Sequence, residues 1–276
     1  FKSKKKTGLN QLSLKTLQRQ VGSSSWALGP TLLKMASNKR HSTELRSSLN
    51  EIAIRALNIK HNSKTEALIR ILTNLNGKKT LVFTGFQQTR EYVVNSLQNA
   101  GFKVATLHGS MTRADKEKAV EEFKHNSQVL VSTESGGEGR NLQFCHVLIN
   151  YDLPWNPMRI EQRIGRIHRI GQKKDVFIYN LSAKGTIEAR ILELLDAKIN
   201  MFQLVIGEMD MILGNLKERR DFEDIIMDIW TNVRDDEELS QRLDTFGNQL
   251  LEAKSRYSQV KNLGDNLLGE LLPDDE

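Results

Sequence analysis

Residues 129–141 read Val129-Leu-Val-Ser-Thr-Glu-Ser-Gly-Gly-Glu-Gly-Arg-Asn141. A short apolar run passes directly into a segment with three glycines in four positions, as a buried strand does when it ends in a turn. Working outward, similar β-branched or apolar runs occur at 80–84 (TLVFT), 104–107 (VATL), 147–151 (VLINY) and 176–181 (VFIYNL). Amphipathic stretches separate them. Ala67, Leu68, Ile71, Leu72 and Leu75 recur at helical spacing, as do Ala119, Val120 and Phe123 behind an N-cap-like Thr112. Strand starts 18–29 residues apart with helices between them define βαβ units. Nearly unbroken apolar strands predict an α/β fold with a parallel sheet covered on both faces. Right-handed crossovers then gather the loops that follow the strands at one edge, where ligands of such sheets bind.

Three segments fall on that edge. In the first, the glycines of 133–141 allow close backbone approach to a phosphate or sugar, although a tight turn alone would also explain them. The second is Asp152-Leu-Pro-Trp-Asn-Pro157, whose prolines stop a strand and start a helix. Trp155 between them is either core filler or a stacking surface. The third is Arg159-Ile-Glu-Gln-Arg-Ile-Gly-Arg-Ile-His-Arg-Ile-Gly171. Read as a helix, it places Ile160, Ile164 and Ile167 on one stripe. Gln162, Arg166 and Arg169 then fall about 200° around the axis at 3.6 residues per turn. The apolar stripe anchors the helix, and the opposite one presents two guanidiniums, whose planar donors match phosphate oxygens in pairs. The bland alternative is a solvated basic face. No G-x-x-x-x-G-K-[ST] loop occurs, since Leu72 stands where its first glycine would be before Asn76-Gly77-Lys78-Lys79-Thr80. No acidic box follows a strand. The chain can reach a triphosphate with arginines but cannot cradle its phosphates or hold their Mg²⁺.

The flanks differ in charge. The chain has 276 residues, with 40 Lys and Arg against 34 Asp and Glu. Residues 1–64 carry a net +11 and residues 221–276 a net −10. The basic head points either to a polyanion, nucleic acid first, or to a solvated arm that maintains solubility. With 38% apolar residues and 18 glycines the chain can build a core, which excludes a wholly disordered protein. Its mean hydropathy is −0.46, and no apolar run is long enough to span a membrane. The single cysteine, Cys145, leaves no internal disulfide or thiolate metal site and predicts a reducing, intracellular setting, either cytoplasmic or nucleoid-associated. The absence of a secretory leader agrees, and the start at Phe1 is read as that of a fragment. Residues 1–60 are expected to be helical, with breaks at Gly22–Ser25 and Gly29–Pro30, and to pack on something else. Ile187, Ile191, Leu194, Leu195, Ile199, Phe202, Val205 and Ile206 predict one long helix over 186–213. That helix is a brace on the sheet domain rather than a coiled coil, because its stripe is wide. An acidic stretch of weak helical pattern follows, with a frayed end. The expected division is 1–60, 61–183, 184–235 and 236–276.

STESGGEGRNLQ, NYDLPWNP and RIEQRIGRIHRIGQ, in that order and spacing, resemble motifs V, Va and VI of the Swi/Snf-type ATPases of helicase superfamily two. The bacterial RapA-like branch is the most similar. TLVFTGF resembles motif IV, and Leu107-His108-Gly109-Ser110 the small motif after the next strand. The resemblance is strong over 61–183 and weaker over 184–215. It implies the second of two RecA-like (P-loop-type, three-layer) lobes, with part of the inter-lobe segment and a helical brace. ATP and Mg²⁺ would be held mainly by a first lobe that carries the Walker groups, and the chain alone would be inactive. Double-stranded DNA and that first lobe are the implied partners, with room for further proteins. Arg166 and Arg169 correspond to the arginine fingers, and Gln162, Gly137, Glu138 and Gly139 lie near the nucleotide. Thr84, Gly109, Ser110, Thr133 and Trp155 face DNA, and no metal ligand is implied. Gly85 stands where the family often has glutamine, a contact that Gln87 or Gln88 would replace, and Arg140 stands in place of a common leucine. The rival class is a non-catalytic RecA-like platform for nucleic acid or protein. A third, RNA unwinding of the DEAD-box kind, fits the IGQ ending less well.

Overall fold

A computed structural model describes residues 9, 11–59, 61–137, 139, 141–168, 172–201, 207–216 and 220–271. Five strands form one parallel sheet: β1 (Thr80–Thr84), β2 (Val104–Leu107), β3 (Val129–Thr133), β4 (Val147–Asn150) and β5 (Phe177–Asn180). Their order is β2-β3-β1-β4-β5. Each strand lies within a residue or two of the run predicted for it. The register sets Thr80 beside both Val129 and Val147, and Thr84 beside Thr133.

Alternation along the strands divides the core into two layers. On one face Val82, Val129, Val131, Val147, Ile149 and Tyr151 pack with Leu68 and Leu72 of α4 (Ser63–Asn74) and Val93 and Leu97 of α5 (Gln87–Asn99). On the other, Leu81, Phe83, Leu107, Leu130 and Leu148 meet Phe123 of α6 (Arg113–His125), together with Leu142, Cys145 and Ile167. Helices therefore cover both faces, and Thr112 caps α6 by accepting from the Asp115 amide. The path β1→β2 runs one way from the centre and β4→β5 the other. The topological switch point thus lies between the carboxyl ends of β1 and β4.

The basic head forms α1 (Gln11–Ser23), α2 (Ser25–Ala36) and α3 (Thr43–Leu57). A single break falls between the first two, where the Ser24 side chain caps α2. The break expected at Gly29–Pro30 does not occur, and α2 runs through Pro30. Gly29 is there for packing: a Cβ at this position would lie 2.6 Å from Leu57 of α3. Trp26 stacks on Tyr92 of α5, with ring centres 5.7 Å apart.

The chain separates into two compact units. The first takes in α1–α3 and the sheet as far as Pro154, and resumes from Gln162 to Ala189. The second holds Trp155–Glu161 and everything described from Arg190 onward. The boundary anticipated near residue 184 lies close to the division at Ala189–Arg190. The predicted helix over 186–213 is interrupted. α9 (Ile187–Ile199) ends where Asn200 takes the left-handed conformation (φ +48°), and α10 (Glu208–Gly214) starts after Gly207 at φ +100°. Phe202, Val205 and Ile206 lie outside the described residues.

Beyond these, α11 (Phe222–Thr231) precedes a 36-residue helix, α12 (Asp236–Leu271). Its Leu239, Leu243, Phe246, Leu250 and Ala253 form one buried stripe, so the acidic stretch is a packed helix. The predicted frayed end falls almost wholly outside the described residues. In this second unit Phe246 contacts Phe222, and Gly247 lets α12 approach Leu194 of α9. Among the described residues no helix is long and apolar enough to cross a membrane.

Candidate nucleotide and nucleic-acid edge

The sheet places the end of every strand from β1 to β4 on one edge, and the chemistry there begins at the switch point. Asp152, just after β4, is buried. Its Oδ2 accepts from the Gly85 amide at 2.7 Å and from the Ser23 hydroxyl at 2.9 Å, so the crevice between β1 and β4 is bridged by the protein's own carboxylate. Lys64 donates to Asp152 Oδ1 at 3.3 Å and to the Gly22 carbonyl at 2.7 Å, and its ammonium lies 4.8 Å above the Tyr151 ring. Glu188 completes the cluster at 3.9 Å from Lys64. One cation faces two carboxylates, and Asp152 is the nearer. Burial accordingly pushes the Glu188 carboxyl up to about 8, and Lys64 only partly offsets that.

Next to this cluster, α7 (Glu134–Gly137) opens the glycine-rich segment. A Cβ on Gly136 would sit 2.5 Å from the Leu107 carbonyl, and one on Gly137 would press on Ser132 and Phe83 at 3.1–3.2 Å. These two glycines serve close packing within the protein. Only Gly139, exposed at φ +73°, lies open. Gly109 approaches Ser135 in the same way, and a Cβ there would lie 2.5 Å from the serine hydroxyl. Ser110 shares a hydrogen bond with His108 Nδ1 at 2.8 Å. Burial first, then Arg90, lowers the His108 pKa, which keeps that ring neutral near pH 7.

The arginine-rich segment starts as α8 (Pro157–Ile164) and tightens beyond Ile164 into turns, with the Arg166 amide bonded to the Arg163 carbonyl and the His168 amide to that of Ile164. The regular helix assumed as far as Arg169 therefore stops short. Arg163, only 4% exposed, turns inward. Its Nε and Nη2 grip the Glu134 carboxylate at 2.9 Å each, and Nη1 donates to Asn150 Oδ1 and the Asp152 carbonyl at 2.7 Å each. The guanidinium also lies 4.8 Å over the Phe83 ring. Arg166 is half-buried, and its side chain has no hydrogen-bond or ion-pair partner among the described residues. Gln162 is exposed.

Of the predicted site residues, Arg166, Gln162, Gly137, Gly139, Gly109, Ser110 and Thr133 all sit on this edge. Arg169 and Glu138, with Arg140, lie outside the described residues. Thr84 and Trp155 are fully buried, so neither presents a side-chain surface to DNA in this conformation. Even so, the Thr84 and Thr133 hydroxyls, paired across β1 and β3, and the Trp155 indole nitrogen all lack a hydrogen-bond partner among the described residues. Buried donors left this way are uncommon. Sequence reasoning missed Arg163, Lys64 and Glu188. For Arg163 a signal existed: it stands three residues after Ile160 and four before Ile167, on the apolar stripe itself. Among the described residues no group of three or more His, Cys, Asp or Glu could hold a metal.

Comparison with known proteins agrees with this architecture. The family profile described as helicase conserved C-terminal domain matches residues 63–171. The chain is 39% identical over 239 residues to the uncharacterized ATP-dependent helicase YqhH of Bacillus subtilis, covering 86% of this chain and 42% of that protein. It is 35% identical over 144 residues to the RNA polymerase-associated protein RapA of Vibrio parahaemolyticus, covering 51% of this chain and 15% of RapA.

Residues 63–171 match a helicase conserved C-terminal domain.

The chain spans less than half the length of these relatives. The crystal structure of the C-terminal part of the Fun30 ATPase domain is similar at 23% identity, with a TM-score of 0.45, covering 72% of this chain and 73% of that one. In this helicase domain the parallel sheet brings the glycine-rich and arginine-rich segments to a common rim.

Proposed function

We propose that this helicase domain is the second lobe of an ATP-driven motor that moves along double-stranded DNA. A first lobe of the same protein holds ATP and Mg²⁺. The observation that carries the reading is the contrast between two arginines three residues apart. Arg163 spends its donors inside the protein, whereas the Arg166 guanidinium stands at the rim without an internal partner among the described residues. An arginine left so is suited to an anion arriving from outside. As the γ-phosphoryl bond breaks, charge shifts onto its oxygens, and guanidiniums delivered across the cleft stabilise that state. Arg166 takes this role together with Arg169. Gln162 and the open Gly139, with Glu138, contact the nucleotide side. Closure of the two lobes completes the site and couples turnover to movement.

The DNA face comprises Thr133, Gly109 and Ser110 at the ends of β3 and β2. Thr84 and Trp155 join it only through a rearrangement that uncovers them. Such contacts go to phosphates, so binding is tolerant of sequence and weakens as salt rises.

The decisive experiment is steady-state ATP hydrolysis by the full-length protein with and without DNA. Arg166→Ala should lower kcat by about 10³-fold or more while ATP binding changes far less, as loss of an arginine finger does. The 276-residue chain alone should hydrolyse ATP no faster than background. Turnover that survives substitution of both arginines would exclude the finger assignment. Loss of DNA affinity with unchanged turnover would favour a binding platform instead.

A further inference from the structure

Two separate ties fasten the glycine-rich segment to the arginine-rich one. At its start, Glu134 is held by the Arg163 fork, with Nε at 2.9 Å from Oε1 and Nη2 at 2.9 Å from Oε2. At its far end, the Leu142 amide donates to the backbone carbonyl of Arg166 at 3.1 Å. The amide of Arg166 is in turn held by the carbonyl of Arg163 at 3.0 Å. Both ends of the segment are therefore fastened to the four residues 163–166, and both backbone groups of Arg166 are occupied. The fork reaches further, to Asn150 and the Asp152 carbonyl at the end of β4, so the same side chain ties this unit to the centre of the sheet.

The geometry points to Arg163 as a positioning residue: it locks the glycine-rich segment and Arg166 into one rigid body, so that both meet the nucleotide together and in fixed relation. This rests on the proposed reading of Arg166 as the arginine that reaches the nucleotide. Surface ion pairs do little of this kind. Here the guanidinium is 4% exposed, and a planar fork fixes direction as well as distance. Lysine at 163 would keep the charge and lose the fork. Displacement of a reacting group by ~1 Å can cost about 10²-fold in rate, so loosening the clamp should act on the chemical step and spare ground-state binding.

The test uses the full-length protein with Arg163→Lys, Glu134→Gln and Arg166→Ala, each assayed for DNA-stimulated ATP turnover. The kcat is expressed per nucleotide-binding site, counted by titration in the same preparation. A merely structural role lowers the number of sites and the melting temperature but leaves kcat per site unchanged. The expected result is a fall in kcat per site of about 10- to 100-fold in both Arg163→Lys and Glu134→Gln, with KM for ATP within about threefold of wild type. Glu134→Gln is the milder change, at a partly exposed carboxylate, and keeps the test open if the lysine variant folds poorly. If Arg166→Ala abolishes turnover while Glu134→Gln and every folded Arg163→Lys site work at the wild-type rate, the clamp is refuted and the arginine-finger reading stands. If Arg166→Ala itself leaves turnover intact, both readings fall.

Discussion

The two faces of the sheet and its carboxyl edge obey different physics. On the faces, Val82, Leu72 and Val93 bury only carbon against one layer of helices, and Leu81, Leu130 and Phe123 against the other. On the edge, Lys64, Asp152, Glu188 and Arg163 are almost as deeply buried, yet each needs a particular partner at a particular distance. Apolar burial is non-directional and tolerates small adjustments. A buried charge is costly unless paired and hydrogen-bonded, so each ion of the edge ties together segments far apart in the chain. Asp152 alone links β1 and α1 to β4, and Lys64 brings in α4. What distinguishes this lobe is therefore concentrated where packing is least forgiving.

Substitutions can measure that contrast. The largest loss should come from the face: Phe123→Ala removes a fully buried ring from the α6 layer, and such truncations cost about 3–5 kcal/mol. Denaturant unfolding of the chain should show a lower midpoint. Close behind stands Asp152→Ala, which leaves Lys64 buried without its nearest carboxylate, a type of change that costs about 3–5 kcal/mol. Replacing Lys64 and Asp152 together by apolar residues should recover much of that loss. A double variant no better than Asp152→Ala would mean that the cluster is held by its neighbours rather than by this pair. Gly136→Ala should be smaller, about 1–3 kcal/mol of overpacking, because the new methyl meets the backbone of Leu107 and His108, which cannot swing aside.

Legibility follows the same line. The strands, the covering helices and the parallel order could be read because apolar periodicity records which side of an element faces the core. The arginine-rich stripe could be read for the same reason as far as Ile164, where the regular helix stops. Gly136 and Gly137 were recognisable as a turn, but a sequence does not say that the close approach they permit is to Leu107 and Phe83. Lys64 opens α4 and Glu188 opens α9 in positions where an exposed charge is ordinary. Their burial arises from tertiary contacts with Asp152 and Gly22, remote in the chain. Arg163 was within reach, since a charge on an apolar stripe must be explained by a partner. The 36-residue α12 also had its stripe in plain view, obscured by the acidic residues on its other sides.

The effect most specific to the edge is a dependence on pH. Glu188 is buried with its Oε2 lacking a hydrogen-bond partner among the described residues, and Lys64 beside it is already engaged by Asp152. Its carboxyl therefore keeps its proton well above the ordinary value of 4.5, up to about 8. In the unfolded chain the same group ionises at its ordinary value. The folded state binds the proton more tightly, so this group contributes stability that is fully present below pH 4.5 and is lost as pH rises through about 8. Glu188→Gln imitates the protonated form in shape and hydrogen-bonding capacity and cannot titrate. Melting temperatures of wild type and variant should therefore agree near pH 5 and diverge as pH approaches 8, with the variant the more stable at the higher pH. Parallel curves across that range would mean that Glu188 is ionised in the folded chain, with Lys64 shared equally between two carboxylates. Val82, Leu72 and Leu81 on the faces do not titrate, so their packing carries no such signature.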